Sequence, residues 1–457
     1  MGDTSDDTTP RPVPGGPVAA VVVDTPLAPL DRLFEYAVPA DLDSDAVPGA
    51  RVRVRFAGRD LEGFVLERRA EAEHEGRLAP LRKVVSAEPV LTPEILALCR
   101  AVADRYAGTL SDVLRLAVPK RHATAERNLP LLPTATESGA VELGEEGPWG
   151  LYPAGAAWLR RVAGGDGPAA VWSALPSRGE DDWPLAFAVA VEAALSGGRG
   201  AIVVVPDHRD VDRLDAALAR RLGSGQHVRL TADQGPQARY TAWLKVLRGH
   251  VRVAIGTRAA AFAPVHDLGL VALWDDGDDL LSEPRAPYHH TGVVLSLRAE
   301  QSGAALLAGG HSRSLRLQVE VEAGRIVPIV AEHEVARRAA PQVVIAGEGR
   351  DEERDGPAAR AHLPSRAWRV AKDALRDGPV LVQVPRRGYL PALSCGECRS
   401  PVRCPRCAGP MALGAAGSAP RCRWCGGGLG MSGFECRMCG SRRLRAAVTG
   451  AMRTAEE

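Results

Sequence analysis

Eight of the nine cysteines fall between Cys395 and Cys439 as four C-x-x-C pairs: Cys395/Cys398, Cys404/Cys407, Cys422/Cys425 and Cys436/Cys439. Each such knuckle can place two thiolates on one ion, and tetrahedral sulfur sites favour zinc. Four pairs imply two four-cysteine sites, matched sequentially, interleaved or nested. Sequential matching would close the first site around only five residues, Arg399 to Arg403. Nesting sets Cys404/Cys407 against Cys422/Cys425 across fourteen residues, close to ribbon spacing, and closes the base with Cys395/Cys398 and Cys436/Cys439. Nesting is the preferred pairing. Four thiolates leave no open coordination position, so both zincs are expected to be structural. The chain begins without the basic start and apolar stretch of an export signal, and clustered cysteines in such a chain argue for metal rather than disulfides. The ninth, Cys99, lies among Leu96, Leu98 and Val102 and reads as a small buried hydrophobe.

The same segment is basic: from Arg386 to Arg453 there are twelve Arg against Glu397 and Glu435. Tyr389, Trp424 and Phe434 are interleaved with them. Even after two tetrathiolate zinc centres take their negative charge, cation excess remains, which fits a nucleic-acid or partner surface. The whole chain carries a net charge of only +1 over 457 residues, so no global charge argument points to DNA or a lipid surface. No apolar run approaches the ~18 residues that span a bilayer, and a cytoplasmic protein without membrane contact is expected. Tyr288-His289-His290, near Asp278 and Asp279, is expected to be a solvated turn rather than a metal site.

The elements that must position these groups fall into several regions. Residues 1–16 read as a disordered tail. Short strands at 18–23, 33–38, 51–56 and 61–67, with a helix begun by Thr92-Pro93-Glu94, make 17–119 a small β-rich domain. Alternation along 51–55 puts three guanidinium groups on one strand face. Residues 120–167 read as a linker or a reduced, winged-helix-like region. From 168 to 330, apolar strands at 201–205, 251–255, 270–273 and 304–307 alternate with helices at 184–196, 209–221 and 237–248, the pattern of a doubly wound parallel sheet. A helix over 360–376 and a strand over 380–384 lead into the cysteine cluster. The fold class is therefore α/β multidomain with a β-rich N-terminal domain and a small zinc module of paired four-cysteine sites.

Together these pieces resemble one family, the PriA (primosomal protein N-prime) replication-restart proteins. Val23-Asp24-Thr25-Pro26-Leu27 with Phe34-Glu35-Tyr36, and Gly49-Ala50-Arg51-Val52-Arg53-Val54, look like the start of the family's 3′-end DNA-binding domain. Val205-Pro206-Asp207 is similar to its V-P-E. Ile255-Gly256-Thr257-Arg258 through Pro264 resembles its G-T-R-S-A-x-F-x-P segment. Pro385-Arg386-Arg387-Gly388-Tyr389, just before Cys395, matches the family's N-R-R-G-Y. The resemblance implies that 17–119 binds DNA ends and that 168–330 is a helicase-like lobe. It makes 331–392 the start of a second lobe, 393–441 a two-zinc module with nested ligands, and 442–457 a truncated remnant of that lobe. It also implies a pocket for a 3′-terminal nucleotide built from Phe34, Glu35, Gly58 and Arg82. That domain holds 14 Lys/Arg against 16 Asp/Glu between Pro17 and Lys120, so its binding is expected to be end-selective rather than broadly electrostatic.

The family's motor motifs are degenerate here. A Walker A loop, G-x-x-x-x-G-K-S/T, needs a lysine on the phosphates and a hydroxyl on Mg²⁺. Its place falls on Ser177 to Pro184, with Trp183 at the lysine and Pro184 at the hydroxyl, and no lysine lies between Lys120 and Lys245. The D-E-E-H motif falls on Trp274-Asp275-Asp276-Gly277, which puts Trp274 at the metal-binding aspartate and leaves Asp275 as the nearest carboxylate. The expected function is recognition of stalled or abandoned forks and promotion of primosome assembly and replicative-helicase loading, with ATP not hydrolysed. The expected partners are forked DNA, single-stranded-DNA-binding protein, and primosome and helicase-loading proteins. The alternative is an ATP-dependent 3′-to-5′ helicase with unusual phosphate contacts.

Overall fold

The computed structural model describes residues 17–131, 147–176, 182–345, 363–383, 390–415, 417–429 and 433–448. The tail 1–16, Ser177 to Asp181, Pro385 to Tyr389 and the last residues from 449 lie outside them. The chain divides into two compact units, Met1–Pro341 and Gln342–Glu457.

The first unit begins with an antiparallel sheet of five strands in the order β2-β1-β4-β3-β5. These are β1 (Val18–Val23), β2 (Leu33–Ala37), β3 (Ala50–Phe56), β4 (Arg59–Arg69) and β5 (Lys83–Pro89). β1 lies between β2 and β4 and is wholly buried. Its alternate residues Ala19, Val21 and Val23 fill one small core with Val52, Val54 and Val65. Val22 and Phe64 face the other way, into a larger core that takes in α1 (Pro93–Arg105) and α2 (Leu110–Ala117). Thr92 caps α1, and a reciprocal Thr109–Asp112 capping box starts α2. Cys99 is fully buried on α1, and burial pushes its thiol far up.

The larger core continues without a break into a seven-stranded parallel sheet, order β12-β6-β11-β10-β7-β9-β8. The strands are β6 (Ala169–Ser173), β7 (Gly200–Val204), β8 (Val228–Leu230), β9 (Val253–Gly256), β10 (Leu268–Trp274), β11 (Ala305–Gly310) and β12 (Val327–Ile329). β7, β10 and β11 are buried along their whole length, as a sheet covered on both faces requires. Alternation decides which side chain goes where. Ile202, Val204, Val271 and Leu273 face the core shared with α1, α2 and α8 (Thr291–Ser302). Ala201, Val203, Leu270 and Ala272 face α5 (Trp183–Ser196) and α6 (His208–Leu222). The buried Arg298 of α8 donates to the carbonyls of Ala261 (2.8 Å) and Ala263 (2.6 Å), fixing the turn that follows Gly256-Thr257-Arg258 to α8.

Three strands of this sheet, β6, β8 and β12, were not expected from sequence. β6 is five residues with a Trp in it, and the other two are three-residue edge strands. Within 120–167 the described residues are docked rather than extended. α3 (Ala123–Asn128) lies on α7 (Pro236–Leu247), where the Tyr240 hydroxyl donates to Glu126. Trp149 and Trp158, the latter on α4 (Gly155–Gly164), stack at 5.2 Å within the sheet-face core.

In the second unit the expected 380–384 strand does not form over 380–383, and Val384 is outside the described residues. A helix spans Ser365–Ala374. The cysteine region is two small antiparallel ribbons: β13 (Ala392–Cys395) with β16 (Leu444–Val448), and β14 (Met411–Ala412) with β15 (Arg421–Cys422). Leu390, Leu393, Val402 and Met411 form its core together with the buried Cys404 and Cys422.

Candidate nucleic-acid interface and metal centres

At the rim of the N-terminal sheet, a cleft of about 670 Å³ opens over β2, the end of β3 and the segment 73–79. Phe34 and Glu35 line it, and so do Arg32, Arg55, Phe56, Ala57, Arg69, His74 and Arg77. The Phe34 ring meets Phe56 edge-on at 4.7 Å, and the Arg32 guanidinium lies 5.0 Å over it. Arg32 and Arg77 are exposed and have no carboxylate partner among the described residues. The cleft thus joins an aromatic surface to free cations, the two components that hold a base and its phosphate.

The other sequence candidates fall differently. Gly58 (φ +79) and Ala57 (φ +45) form the two-residue turn between β3 and β4, where a type I′ hairpin needs φ above zero at both positions. Ala57, not Gly58, lines the cleft. Arg82 is exposed, its N–H bonds the Arg53 carbonyl, and it does not line the cleft. Glu35 is engaged from within: its carboxylate accepts from the N–H groups of His74 (2.9 Å) and Glu73 (3.0 Å) and from Arg69 (3.1 Å). Those N–H groups, with Arg69, hold the Glu35 carboxyl below the usual range. Its role in this structure is to anchor the wall of the cleft. Since the folded-state pKa is depressed, the anchoring is present above the ordinary glutamate pKa and is lost as pH falls below it. Replacing Glu35 with Ala should therefore speed amide exchange at Glu73 and His74 at neutral pH. The wild-type chain should show the same loosening only in acid. Unchanged exchange in the variant would remove this role.

The basic face expected along β3 is also spent internally. Arg51 is buried over the Phe64 ring at 4.8 Å and pairs with Glu62, and Arg55 pairs with Asp60.

The second region is the crevice at the carboxyl ends of β6, β10 and β11, where open α/β sheets bind ligands. Ser177 to Asp181 lie outside the described residues, but the walls are defined. Trp183, the first residue of α5, stacks on Trp274, the last of β10, at 4.6 Å and an interplanar angle of 11°. Phe187 meets both rings edge-on and His311 meets Trp274 at 5.1 Å. Arg213 of α6 lies 5.0 Å over Trp183. Both indoles are about 95% buried. Asp182 caps α5, accepting from the Trp183 N–H at 2.8 Å, and its second oxygen pairs with Arg213. A helix N-terminus that would attract phosphate is thus capped by the chain's own carboxylate. Pro184 follows it with no N–H to offer. Asp275 (φ +52) keeps a carboxyl raised by burial and by Asp278. Asp276 is held by Ser314 and Arg316.

The Tyr288-His289-His290 turn is not simply solvated. Tyr288 is exposed, but His289 is buried edge-on against Phe262 (5.7 Å) and Tyr106, and burial pushes its imidazole down to about 4.

The third region is the cysteine cluster. Among the described residues, the side chains able to surround an ion gather in two groups: Cys395, Cys398, Cys436 and Cys439, and Cys404, Cys407, Cys422 and Cys425. That is the nested pairing. Sulfur–sulfur distances of 3.6 Å (Cys395–Cys439), 3.5 Å (Cys398–Cys436), 3.7 Å (Cys404–Cys425) and 3.4 Å (Cys407–Cys422) fit one ion per group. Four sulfurs about 2.3 Å from a tetrahedral zinc would stand about 3.8 Å apart. All four knuckles share one backbone form. The residue after the second cysteine is left-handed in each (Arg399, Ala408, Gly426, Gly440), and the N–H of the first cysteine bonds a carbonyl five residues on (Ser400, Gly409, Gly427, Ser441). The N–H groups of Cys425 and Trp424 draw the Cys422 thiol down to about 6, and the Ser400 hydroxyl with the Met438 N–H does the same for Cys436. Against the pull of the Gly409 N–H, the Cys422 and Cys425 sulfurs push Cys407 up to about 12.

Residues 20–119 match a family model described as the PriA 3′ DNA-binding domain (3′BD). The probable replication restart protein PriA of Mycobacterium leprae is 48% identical over 434 residues, covering 94% of this chain and 65% of that protein. The chain belongs to the PriA family. The same-named protein of Mycobacterium bovis is 48% identical over 431 residues with the same coverage, and the replication restart protein PriA of Bacillus subtilis is 26% identical over 268. The chain spans just under two thirds of the length of the mycobacterial relatives, 65%. The PriA 3′BD match covers the whole of the Phe34 cleft. Sequence reasoning missed most of its cationic lining because Arg32, Arg69 and Arg77 belong to no local motif. Among the described residues, no helix is long and apolar enough to cross a membrane.

Proposed function

We propose that this chain is a replication-restart protein that recognises stalled or abandoned forks through the cleft of its 3′ DNA-binding domain, and that it promotes primosome assembly and helicase loading without a motor of its own. The observation that carries the reading is the pairing of an open, cation-lined cleft with a filled nucleotide crevice. Phe34 gives the terminal base a stacking face, and Arg32 and Arg77 supply cations for its phosphate. Where phosphates would enter the crevice, Trp183 lies on Trp274 and Asp182 occupies the end of α5. Two structural zincs complete the protein, one in each four-cysteine group, and they hold the ribbons without taking part in a reaction. Its partners are forked DNA, single-stranded-DNA-binding protein and the loader proteins, and its place is the cytoplasm.

The test is fork binding by the full chain, with the leading strand ending in a 3′-hydroxyl, a 3′-phosphate or no free end, each with and without Mg·ATP. The expected result is preference for the hydroxyl end, indifferent to ATP. Phe34→Ala is expected to weaken that fork about tenfold, in the range of one lost base stack. Equal affinity for the hydroxyl and phosphate ends would reject the cleft. ATP-driven strand separation would select the helicase alternative.

A further inference from the structure

The second unit carries an exposed aromatic surface that the zincs do not explain. The ribbon from Arg403 to Leu429, which holds the group Cys404, Cys407, Cys422 and Cys425, contains four arginines, Arg403, Arg406, Arg421 and Arg423, and no Asp, Glu or Lys. All four are exposed, and none has a carboxylate partner among the described residues. The module's two acids are elsewhere, Glu397 paired with Arg443 and Glu435 with Arg442, both beside the other group, Cys395, Cys398, Cys436 and Cys439. Trp424 sits at the tip of the knuckle Cys422–Cys425 with 70% of its surface exposed, while Phe434 is folded back against the ribbon core. Six of the other seven tryptophans are at least 95% buried.

The indole is also held in place. A side-chain carbon on Gly409 would stand 2.9 Å from Trp424 Cδ2 and 3.0 Å from Cγ, so the ring rests on bare backbone of the facing knuckle. The Arg423 N–H bonds the Pro410 carbonyl, and the Trp424 N–H reaches the Cys422 sulfur at 3.4 Å. A large apolar ring is thus presented to water on a rigid support, within a ribbon whose charged side chains are all cationic. Burying it against a protein would require the partner to supply several carboxylates. A single DNA strand supplies a flat apolar base and the neutralising phosphates together, at the spacing of one nucleotide.

We propose that Trp424 is a stacking platform for an unpaired base of single-stranded DNA, with Arg406, Arg421 and Arg423 on the flanking phosphates. The proposal rests on the reading of the chain as a DNA-binding protein but not on the Phe34 cleft, and the test separates the two. The chain is titrated with a closed circular thymidine oligonucleotide, which has no end for the cleft to hold, and with an abasic circle of the same length. Trp424→Ala is expected to weaken the thymidine circle about tenfold, within the measured range for one base–aromatic stack, and to leave the abasic circle unchanged. Trp424→Phe is expected to recover most of the loss. Arg406→Ala with Arg423→Ala should weaken both circles and lower the salt dependence by about two ions. Zinc content measured on each variant shows that the knuckle has stayed folded. Equal binding of the thymidine circle by wild type and Trp424→Ala would overturn the proposal. So would equal losses on both circles. Loss of self-association in sedimentation with DNA affinity unchanged would give the surface to a protein contact and overturn it as well.

Discussion

Cys398→Ser and Cys436→Ser should each cost the chain the same single zinc, and the two together should cost no more than one. Cys398→Ser combined with Cys407→Ser should cost both. The nested geometry requires this result, because Cys398 and Cys436 are 3.5 Å apart in one group whereas Cys407 faces Cys422 in the other. Sequential pairing of the knuckles would reverse it. The effect on folding should be large. The ribbons bury only a handful of apolar side chains, with Leu390, Leu393, Val402 and Met411 at the centre. Structural zinc contributes roughly 10–16 kcal/mol in comparable small sites, far more than such a core supplies. Chelation should therefore unfold the ribbons from Ala392 to Val448 and leave the first unit, with its own cores, intact. Limited proteolysis after chelation, read by mass spectrometry beside a metal analysis of the untreated chain, gives the answer. A starting ratio near one zinc per chain, or ribbons that survive chelation, would sink the two-site assignment.

How much of this was legible in the sequence depends on how local the signal is. The knuckles were legible because a C-x-x-C pair carries its geometry within four residues, and loop length alone favoured nesting. The long central strands β7, β10 and β11 were legible as apolar runs buried on both faces. β8 and β12 were not, since a three-residue edge strand has no periodicity to read. Long-range partners were the systematic loss. Glu35 presents itself in sequence as a free acceptor beside Phe34, and only the fold brings the N–H groups of Glu73 and His74 onto it. Arg51, Arg53 and Arg55 read as a basic face until β4 sets Glu62 and Asp60 opposite them. The resemblance places Gly58 in the 3′-end pocket, yet its positive φ serves the β3–β4 turn. Trp183 and Trp274 could each be read as a missing functional group. That they are one another's packing partner needs the parallel sheet, which brings the end of β10 beside the start of α5.

That stack gives the last prediction its force. Rewriting the loop toward a phosphate-binding one, with Trp183→Lys and Pro184→Thr, should lower the thermal midpoint of the first unit and produce no ATP-dependent shift and no phosphate release. Three physical terms act together. Removing the buried Trp183 ring empties the space between Trp274, Phe187 and Arg213, and a large-to-small change at a buried aromatic costs about 3–5 kcal/mol. A lysine put there must either bury its charge among the remaining rings or leave the crevice open to water. And α5 still begins at Asp182, whose carboxylate already caps the helix and pairs with Arg213, so a triphosphate would meet a negative group where it needs free N–H groups. Asp275, raised by burial and by Asp278, adds like charge to the same edge. Trp183→Phe, which keeps an aromatic in the stack, should lose much less stability, and Trp274→Ala should resemble the lysine variant. Scanning fluorimetry with and without Mg·ATP reads both quantities in one experiment, alongside phosphate release in the presence of forked DNA. The wild-type chain should show neither a nucleotide shift nor turnover. Steady DNA-stimulated phosphate release by wild type would mean that the Trp183–Trp274 stack opens to admit nucleotide, and the motor-free reading would fall with it.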